Sequence, residues 1–435
     1  MSNWPIRTIA ECADDEPYAT QIGPFGKALT PEAYQSAGVP LLRGVNVNHG
    51  RFHDDDFVFI GEADADRLAK FESFPGDVLL VHKGTLGKIG LMPQTRRFAR
   101  YIMGNSMLRV RCHRGRLIPE YLYYWLSSAA GTQYLLSRVS QVCVPQIQRP
   151  LTTLRNAQLP VPPLSEQCAI VGVLGALDDK IEQNRRTAQT LERLAQAIFR
   201  AWFVDFEPVK AKAAGATAFP PMPQSVFDAL PTRFVESDLG PVPEGWDVTA
   251  VSECTHLTMG QSPPSEHYNA VGVGLPFHQG VTDYGFRFPT HRIYCSVVGR
   301  IAEPLDVLLS VRAPVGRINV ADRRLVLGRG LAGLRHLRGR QSFLLHQLAH
   351  AFAEEDAVGD GTIYKAVTKQ FLSAMPMLCP ADDAQAAFEL IARPLDELIL
   401  SSEMESRKLT ATRDYLLPKL LTGDVHIRSG AGEAQ

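Results

Sequence analysis

The chain has 435 residues, with 45 Lys and Arg against 46 Asp and Glu, a formal charge of −1, and 45% hydrophobic residues. This composition excludes collagen-like, low-complexity and wholly disordered chains, and the length suits two or three domains with cores of their own. Near-neutrality argues, as a sum, against a nucleic-acid-binding protein, which is usually basic. The seven cysteines (Cys12, Cys112, Cys143, Cys168, Cys254, Cys295, Cys379) are scattered, odd in number and free of Cys-x-x-Cys pairs. With no secretory signal at the start, they point to a reduced, cytoplasmic setting. No apolar run approaches the ~18 residues a membrane span requires.

Residues 1–163 read as a first globular unit. Its segments Trp4-Pro-Ile-Arg-Thr-Ile-Ala-Glu11-Cys12, Pro40 to Val45, Asp77-Val-Leu-Leu80 with Gly87-Lys88-Ile89, and Arg114-Gly115-Arg116 all return later in the same order. The second set is Trp246 to Cys254, Pro276 to Val281, Asp306-Val-Leu-Leu309 with Gly316-Arg317-Ile318, and Arg338-Gly339-Arg340. A period this long denotes a duplicated domain rather than a solenoid.

Residues 164–207 carry a heptad seam: Ile170, Leu174, Leu177, Ile181, Asn184, Ala188, Leu191, Ala195, Ile198 and Trp202 alternate steps of four and three. A helix over Leu164 to Phe203 would be about 60 Å long. Residues 208–244, rich in proline, read as a linker that is partly ordered where Phe219 and Phe227 can dock. Residues 245–380 form the second globular unit. Residues 381–425 form the second seam: Phe388, Ala392, Leu395, Ile399, Ser402, Ser406, Leu409, Arg413, Leu416 and Leu420. Pro394 is expected to kink or start that helix, and residues 426–435 form a tail. The two helices most simply pair antiparallel through Leu177, Ile181, Asn184 and Leu191 against Leu395, Ile399, Ser402 and Leu409. Asn184 and Ser402 hold equivalent positions, so a buried polar pair there is expected to fix register.

Charge is segregated in the same way in both units. From Val78 to Pro119 there are nine Lys and Arg and no acid; from Val307 to Ala353 there are eight Arg and one acid, Asp322. Glycine-containing corners, Lys83-Gly84 to Gly87-Lys88 and Arg312 to Gly316-Arg317, follow strand-like Val-Leu-Leu segments and are expected to lift cations onto a hairpin turn. Lys83, Lys88, Arg96, Arg97, Arg312, Arg317, Arg323 and Arg324 are the candidate DNA contacts, since such cations neutralise phosphates and arginine also fits guanine. The opposing expectation is a solvated face whose acids lie across from it in the fold.

Motifs for catalysis are missing: no phosphate loop, dinucleotide fingerprint, nucleophile elbow, zinc-protease helix or Asn-Pro-Pro-Tyr element is present. His346 with His350, and His49 with His53, have i, i+4 spacing but lack a nearby third ligand, so no metal is expected. Asp54 to Asp56 reads as a solvated turn.

Pro162-Pro-Leu-Ser-Glu166-Gln167, Leu177 to Asn184, Phe203-Val-Asp-Phe206-Glu-Pro208, Leu239-Gly240-Pro-Val-Pro-Glu-Gly245-Trp246, Phe388 to Pro394 and Leu416 to Gly423 stand in an order covering essentially the whole chain. In that order the chain resembles the specificity subunit of type I restriction–modification enzymes. The resemblance implies an α+β fold: two duplicated α/β target-recognition domains joined by two long antiparallel coiled-coil helices with pseudo-two-fold symmetry. It implies a non-catalytic subunit of an adenine-N6 methyltransferase and type I endonuclease complex, in which each domain reads one half of a bipartite double-stranded DNA target. Two modification subunits carrying S-adenosylmethionine, and restriction subunits using ATP and Mg2+, would be its partners; the chain itself would bind no cofactor. Departures are Ala313-Pro314 where the first copy has Gly84-Thr85, and Ala384-Gln385 where it has Glu166-Gln167. On the residues alone, a tandem coiled-coil adaptor without sequence-specific DNA binding, or an enzyme with an unrecognised site, stays open.

Overall fold

The computed structural model describes residues 4–25, 28–48, 51–140, 144–357 and 367–427. His49, Cys143 and the tail from Arg428 lie outside them. The chain divides into two compact units, residues 1–181 with 408–435, and residues 182–407.

In the first unit, β1 (Ile6–Thr8), β2 (Thr20–Ile22), β3 (Val39–Leu42), β4 (Val58–Ile60), β5 (Val78–Val81), β6 (Ile89–Leu91), β7 (Ile102–Met103) and β8 (Met107–Val110) precede α1 (Pro119–Ser127) and β9 (Gln158–Pro160). The main sheet is antiparallel in the order β2-β8-β5-β6, a smaller one runs β4-β3-β7 with β3 parallel to β7, and β1 pairs with β9. Central β5 reads Val-Leu-Leu-Val without alternation because both faces are covered. Val78 and Leu80 join a core with Tyr121, Leu122 and Trp125 of α1, while Leu79 and Val81 join one with Leu41, Leu42 and Met103.

From Leu164 to Phe203 the heptad segment is one 40-residue helix, α2. Its first turns belong to the first unit, where Ile170 and Leu174 share a core with Leu420 and Leu421.

In the second unit the order recurs: β10 (Asp247–Ala250), β11 (Thr255–Met259), β12 (Leu275–His278), β13 (Ile301–Ala302), β14 (Val307–Ser310), β15 (Ile318–Val320), β16 (Leu325–Leu327), β17 (Leu331–His336), α3 (Gln341–Ala357), β18 (Pro376–Cys379) and α4 (Asp382–Thr422). The main sheet is β11-β17-β14-β15, β12 lies parallel to β16, and β10 closes against β18. The duplication read from the residues is therefore a duplication of topology. Central β14 is buried on both faces just as β5 is.

Every position of the α2 seam is buried or half-buried, as are Leu395, Ile399, Ser402 and Leu409 of α4. Within the second unit, Phe199 and Trp202 near the end of α2 meet Phe388 near the start of α4, so the two helices run antiparallel there. Two expectations are corrected. Asn184 does not pair with Ser402; its Nδ2 donates to Glu405 Oε2 at 2.7 Å, one turn further along α4. Ser402 instead offers its carbonyl to the Ser406 hydroxyl at 2.8 Å. Helix α4 does not start at Pro394 but twelve residues earlier, at Asp382. Proline is tolerated because it is exposed and so is Leu390, whose orphaned carbonyl lies on the outer face where water can bond it.

The proline-rich stretch between the copies is folded rather than loose. Helices Glu207–Ala213 and Gln224–Ala229 and a hairpin of Phe234–Ser237 with Gly240–Pro243 fill it. Val209, Met222, Phe227 and Leu230 are buried with Phe203 and Trp246. Phe203 and Phe206 both lie 5.9 Å from the Trp246 ring, which explains physically why the Phe-Val-Asp-Phe and Gly-Trp segments occur together.

Candidate nucleic-acid interface

Both glycine corners are hairpin turns, joining β5 to β6 and β14 to β15. Gly87 and Gly316 sit at φ +83° and +80°, a left-handed backbone that side chains resist, so this position of the turn is alike in both copies. Lys83 and Arg312 at the start of each turn are exposed and form no ion pair among the described residues, and the same holds for Arg317. Lys88 is half-buried and donates to the Gly44 carbonyl at 3.1 Å.

The other four candidates stand elsewhere. Arg96 and Arg97 lie past the far end of β6, where the Arg97 amide donates to Asp54 Oδ2 at 3.2 Å and its guanidinium sits 5.2 Å from the Phe98 ring. One Arg96 guanidinium nitrogen is buried without a partner. Arg323 and Arg324 lie past the far end of β15; Arg323 Nε is 3.7 Å from Asp322, and Arg324 Nε donates to Glu303 at 3.1 Å. The structure thus brings together Lys83 with Lys88, and Arg312 with Arg317, at the hairpin corners, and separates the remaining four from them.

Several other arginines of the basic stretches are structural. Arg100 meets Glu62, Asp66 and Glu72, Arg111 grips Asp77, Arg116 pairs with Asp15, Arg335 with Asp306, and Arg338 and Arg340 with Asp382. Arg109 is 2% exposed and donates to main-chain carbonyls, and burial lowers its pKa to about 10. For these residues the acids do lie across from the cations in the fold. Among the described residues, the corner cations Lys83, Arg312 and Arg317 are not claimed in this way.

Each corner is stitched to its surroundings by equivalent bonds. The amides of His82 and Val311 donate to Ser106 and Gly330 carbonyls at 2.9 Å, and their carbonyls accept from Ile147 and Val367 at 2.9 and 2.8 Å. A cleft of about 740 Å³ is lined by Tyr134, Arg138, Gln148, Arg149 and Asn156. Arg138 stacks 3.9 Å from the Tyr134 centroid. Arg138 and Arg149 escaped the sequence argument because they lie outside the acid-free run.

His346 is buried with neither ring nitrogen bonded, so the His346–His350 spacing assembles no site. Among the described residues no group of three His, Cys, Asp or Glu is placed to hold a metal. Asp54 is more than a solvated turn, since it accepts from the Tyr101 hydroxyl at 2.7 Å. No helix among the described residues is long and apolar enough to cross a membrane.

Two alike sheet domains, each presenting a cationic hairpin corner, define a tandem-domain chain suited to an extended anionic surface. Residues 32–193 match the family model of the type I restriction modification DNA specificity domain. The chain is 25% identical over 399 residues to a putative type I restriction enzyme MjaX specificity subunit of Methanocaldococcus jannaschii, covering 90% of this chain and 88% of that one. It is 24% identical to the type I restriction enzyme HindI specificity subunit of Haemophilus influenzae, covering 75% and 81%. The fold also matches the S subunit of a type I restriction–modification system from M. genitalium, with a TM-score of 0.60 at 16% identity over 96% of both chains. Over most of its length the chain is similar to the specificity subunits of type I restriction–modification systems.

Proposed function

We propose that this chain is the sequence-reading, non-catalytic subunit of a type I restriction–modification complex, with one half of a bipartite DNA target read by each copy of the domain. The observation that carries this reading is the repeated corner: the same hairpin, with cations at the same two turn positions, on the same four-stranded sheet. Cations presented on a tight turn neutralise phosphates and release counterions, which supplies affinity and register. Similarity to specificity subunits over most of the chain favours this reading over the adaptor alternative.

The paired helices are proposed to dock two modification subunits, which would bring S-adenosylmethionine for adenine methylation. Restriction subunits would bring ATP and Mg2+. Cofactor chemistry then belongs to the partners, and this chain contributes position and sequence choice. The test is duplex binding of the full chain, co-purified with its modification subunits, across a salt titration. Log affinity should fall linearly with log salt, by about 0.9 per phosphate contacted. A salt-independent affinity, or equal affinity for every duplex at all salt concentrations, overturns the reading.

A further inference from the structure

Beside each cationic corner the fold fixes a short loop by an approach only glycine allows. A Cβ on Gly23 would overlap the Gly104 carbonyl oxygen, and a Cβ on Gly260 would overlap that of Gly328. Gly104 and Gly328 in turn donate to the Leu42 and His278 carbonyls at 2.8 Å, at the ends of β3 and β12. The residue after each of these glycines, Asn105 and Arg329, is therefore held in place and is exposed.

In the first copy the Asn105 carbonyl also meets His82 Nε2 at 3.2 Å, one residue before Lys83. Gln146 bridges to Lys83 across the same corner. Asn105 and Gln146 are exposed, and neither side chain has a hydrogen bond among the described residues. Phe25 is 61% exposed with its ring 6.4 Å from His82. In the second copy, Ser262 takes the place of Phe25. Its hydroxyl donates to Gln279 Oε1 at 2.7 Å and accepts from the Arg329 amide at 3.1 Å. That bond engages the Gln279 amide oxygen, and no hydrogen bond among the described residues takes up its NH2.

Two neutral amides beside one pair of cations, and an amide and a guanidinium beside the other, differ in what they recognise. A neutral amide gains little from phosphate charge, but its donor and acceptor match the adenine N6/N7 edge; a guanidinium matches guanine O6/N7. Their backbones are pinned, so the point from which each side chain reaches is fixed, and the Ser262 bond also holds the Gln279 amide. We propose that Asn105 and Gln146 read base edges of one half-site and that Gln279 and Arg329 read base edges of the other, while the adjoining hairpin cations hold the flanking phosphates. This assignment rests on the DNA-reading function proposed above and extends it from the domain to its base-contacting side chains.

Selection from a randomised duplex library tests it, using the full chain with its modification subunits. The wild type is expected to select two separated half-sites. N105A with Q146A should relax base preference by tenfold or more in one half only, and Q279A with R329A in the other, with affinity for unselected duplex within about twofold of wild type. Retention of both half-sites by both double variants overturns the assignment while leaving the DNA-reading function intact. A wild type that selects no sequence overturns both. Loss of both half-sites from one double variant also counts against it. All four side chains are exposed, and matching thermal melts of variants and wild type will show that folding is unchanged.

Discussion

Arg111 grips Asp77 at two points, Nε to Oδ1 at 2.9 Å and Nη2 to Oδ2 at 3.0 Å, and Arg335 repeats the contact with Asp306 at 2.6 Å. The pair precedes the central strand of each copy and also caps a turn, since Asp77 accepts from the Phe74 amide and Asp306 from the Glu303 amide. It was inherited with the duplicated domain and belongs to its frame.

Asp77→Ala should therefore destabilise the first unit by about 3–5 kcal/mol, because Arg111 and the buried Arg109 both lose their nearest acid. Asp306→Ala should cost less, about 1–3 kcal/mol, since the Arg335 side chain is 45% exposed and water can replace its partner. Urea unfolding of the two variants measures the difference; equal losses would contradict it.

Lys83→Ala combined with Lys88→Ala should weaken duplex binding and lower the salt slope by about one to two units, with no change in unfolding midpoint beyond the small effect of the Lys88–Gly44 bond. Arg111→Ala should do the reverse, lowering stability with the salt slope unchanged. Paired salt and urea titrations distinguish reading cations from structural ones.

This distinction is what the sequence could not supply. The acid-free run contains both kinds of arginine, and the acids that claim Arg100, Arg111 and Arg116 lie between 28 and 101 residues away in the chain. The heptad seam was legible because its periodicity is local, and a single helix, Leu164–Phe203, carries it. Its polar partner was not. Glutamate reaches one turn further than serine, so Asn184 finds Glu405 rather than Ser402. Arg413, out of character in an apolar seam, is explained by Asp178 at 2.7 Å, which also accepts from Tyr124 at 2.9 Å. The Pro-Pro-Leu-x-Glu-Gln segment keeps its glutamine in both copies for a structural reason. Gln167 is buried and bonds the Pro162 carbonyl at 2.8 Å, as Gln385 bonds that of Pro380 at 2.7 Å. The base-facing candidates carry no pattern at all; loops far apart in sequence bring them together.

Asn184→Leu should raise thermal stability by about 1 kcal/mol, since an apolar seam residue packs better and exposed Glu405 can turn to water. The cost should appear as looser register between α2 and α4, seen as faster amide exchange around Ser402. Unchanged or lower stability would argue that the Asn184–Glu405 bond contributes more than seam packing.

His346 sits among Phe199 and Phe388 with its pKa lowered to about 3 by burial. Such a histidine is neutral in the folded chain and protonates once unfolded, so its contribution is intact above about pH 6.5 and is lost as pH falls toward 3. His278 and His336, lowered to about 4, act in the same direction. His346→Phe should flatten the decline in stability across that window. Melting temperatures at intervals from pH 7 to pH 4 measure it, and a variant as acid-sensitive as the wild type would contradict the assignment.

The central claim is that two copies of one corner each hold a separate stretch of DNA. Hydroxyl-radical footprinting of the full chain with its modification subunits on a selected target tests it most directly. Two separate protected patches are expected, one lost with K83A/K88A and the other with R312A/R317A. A single patch, or loss of the same patch in both variants, would contradict the claim.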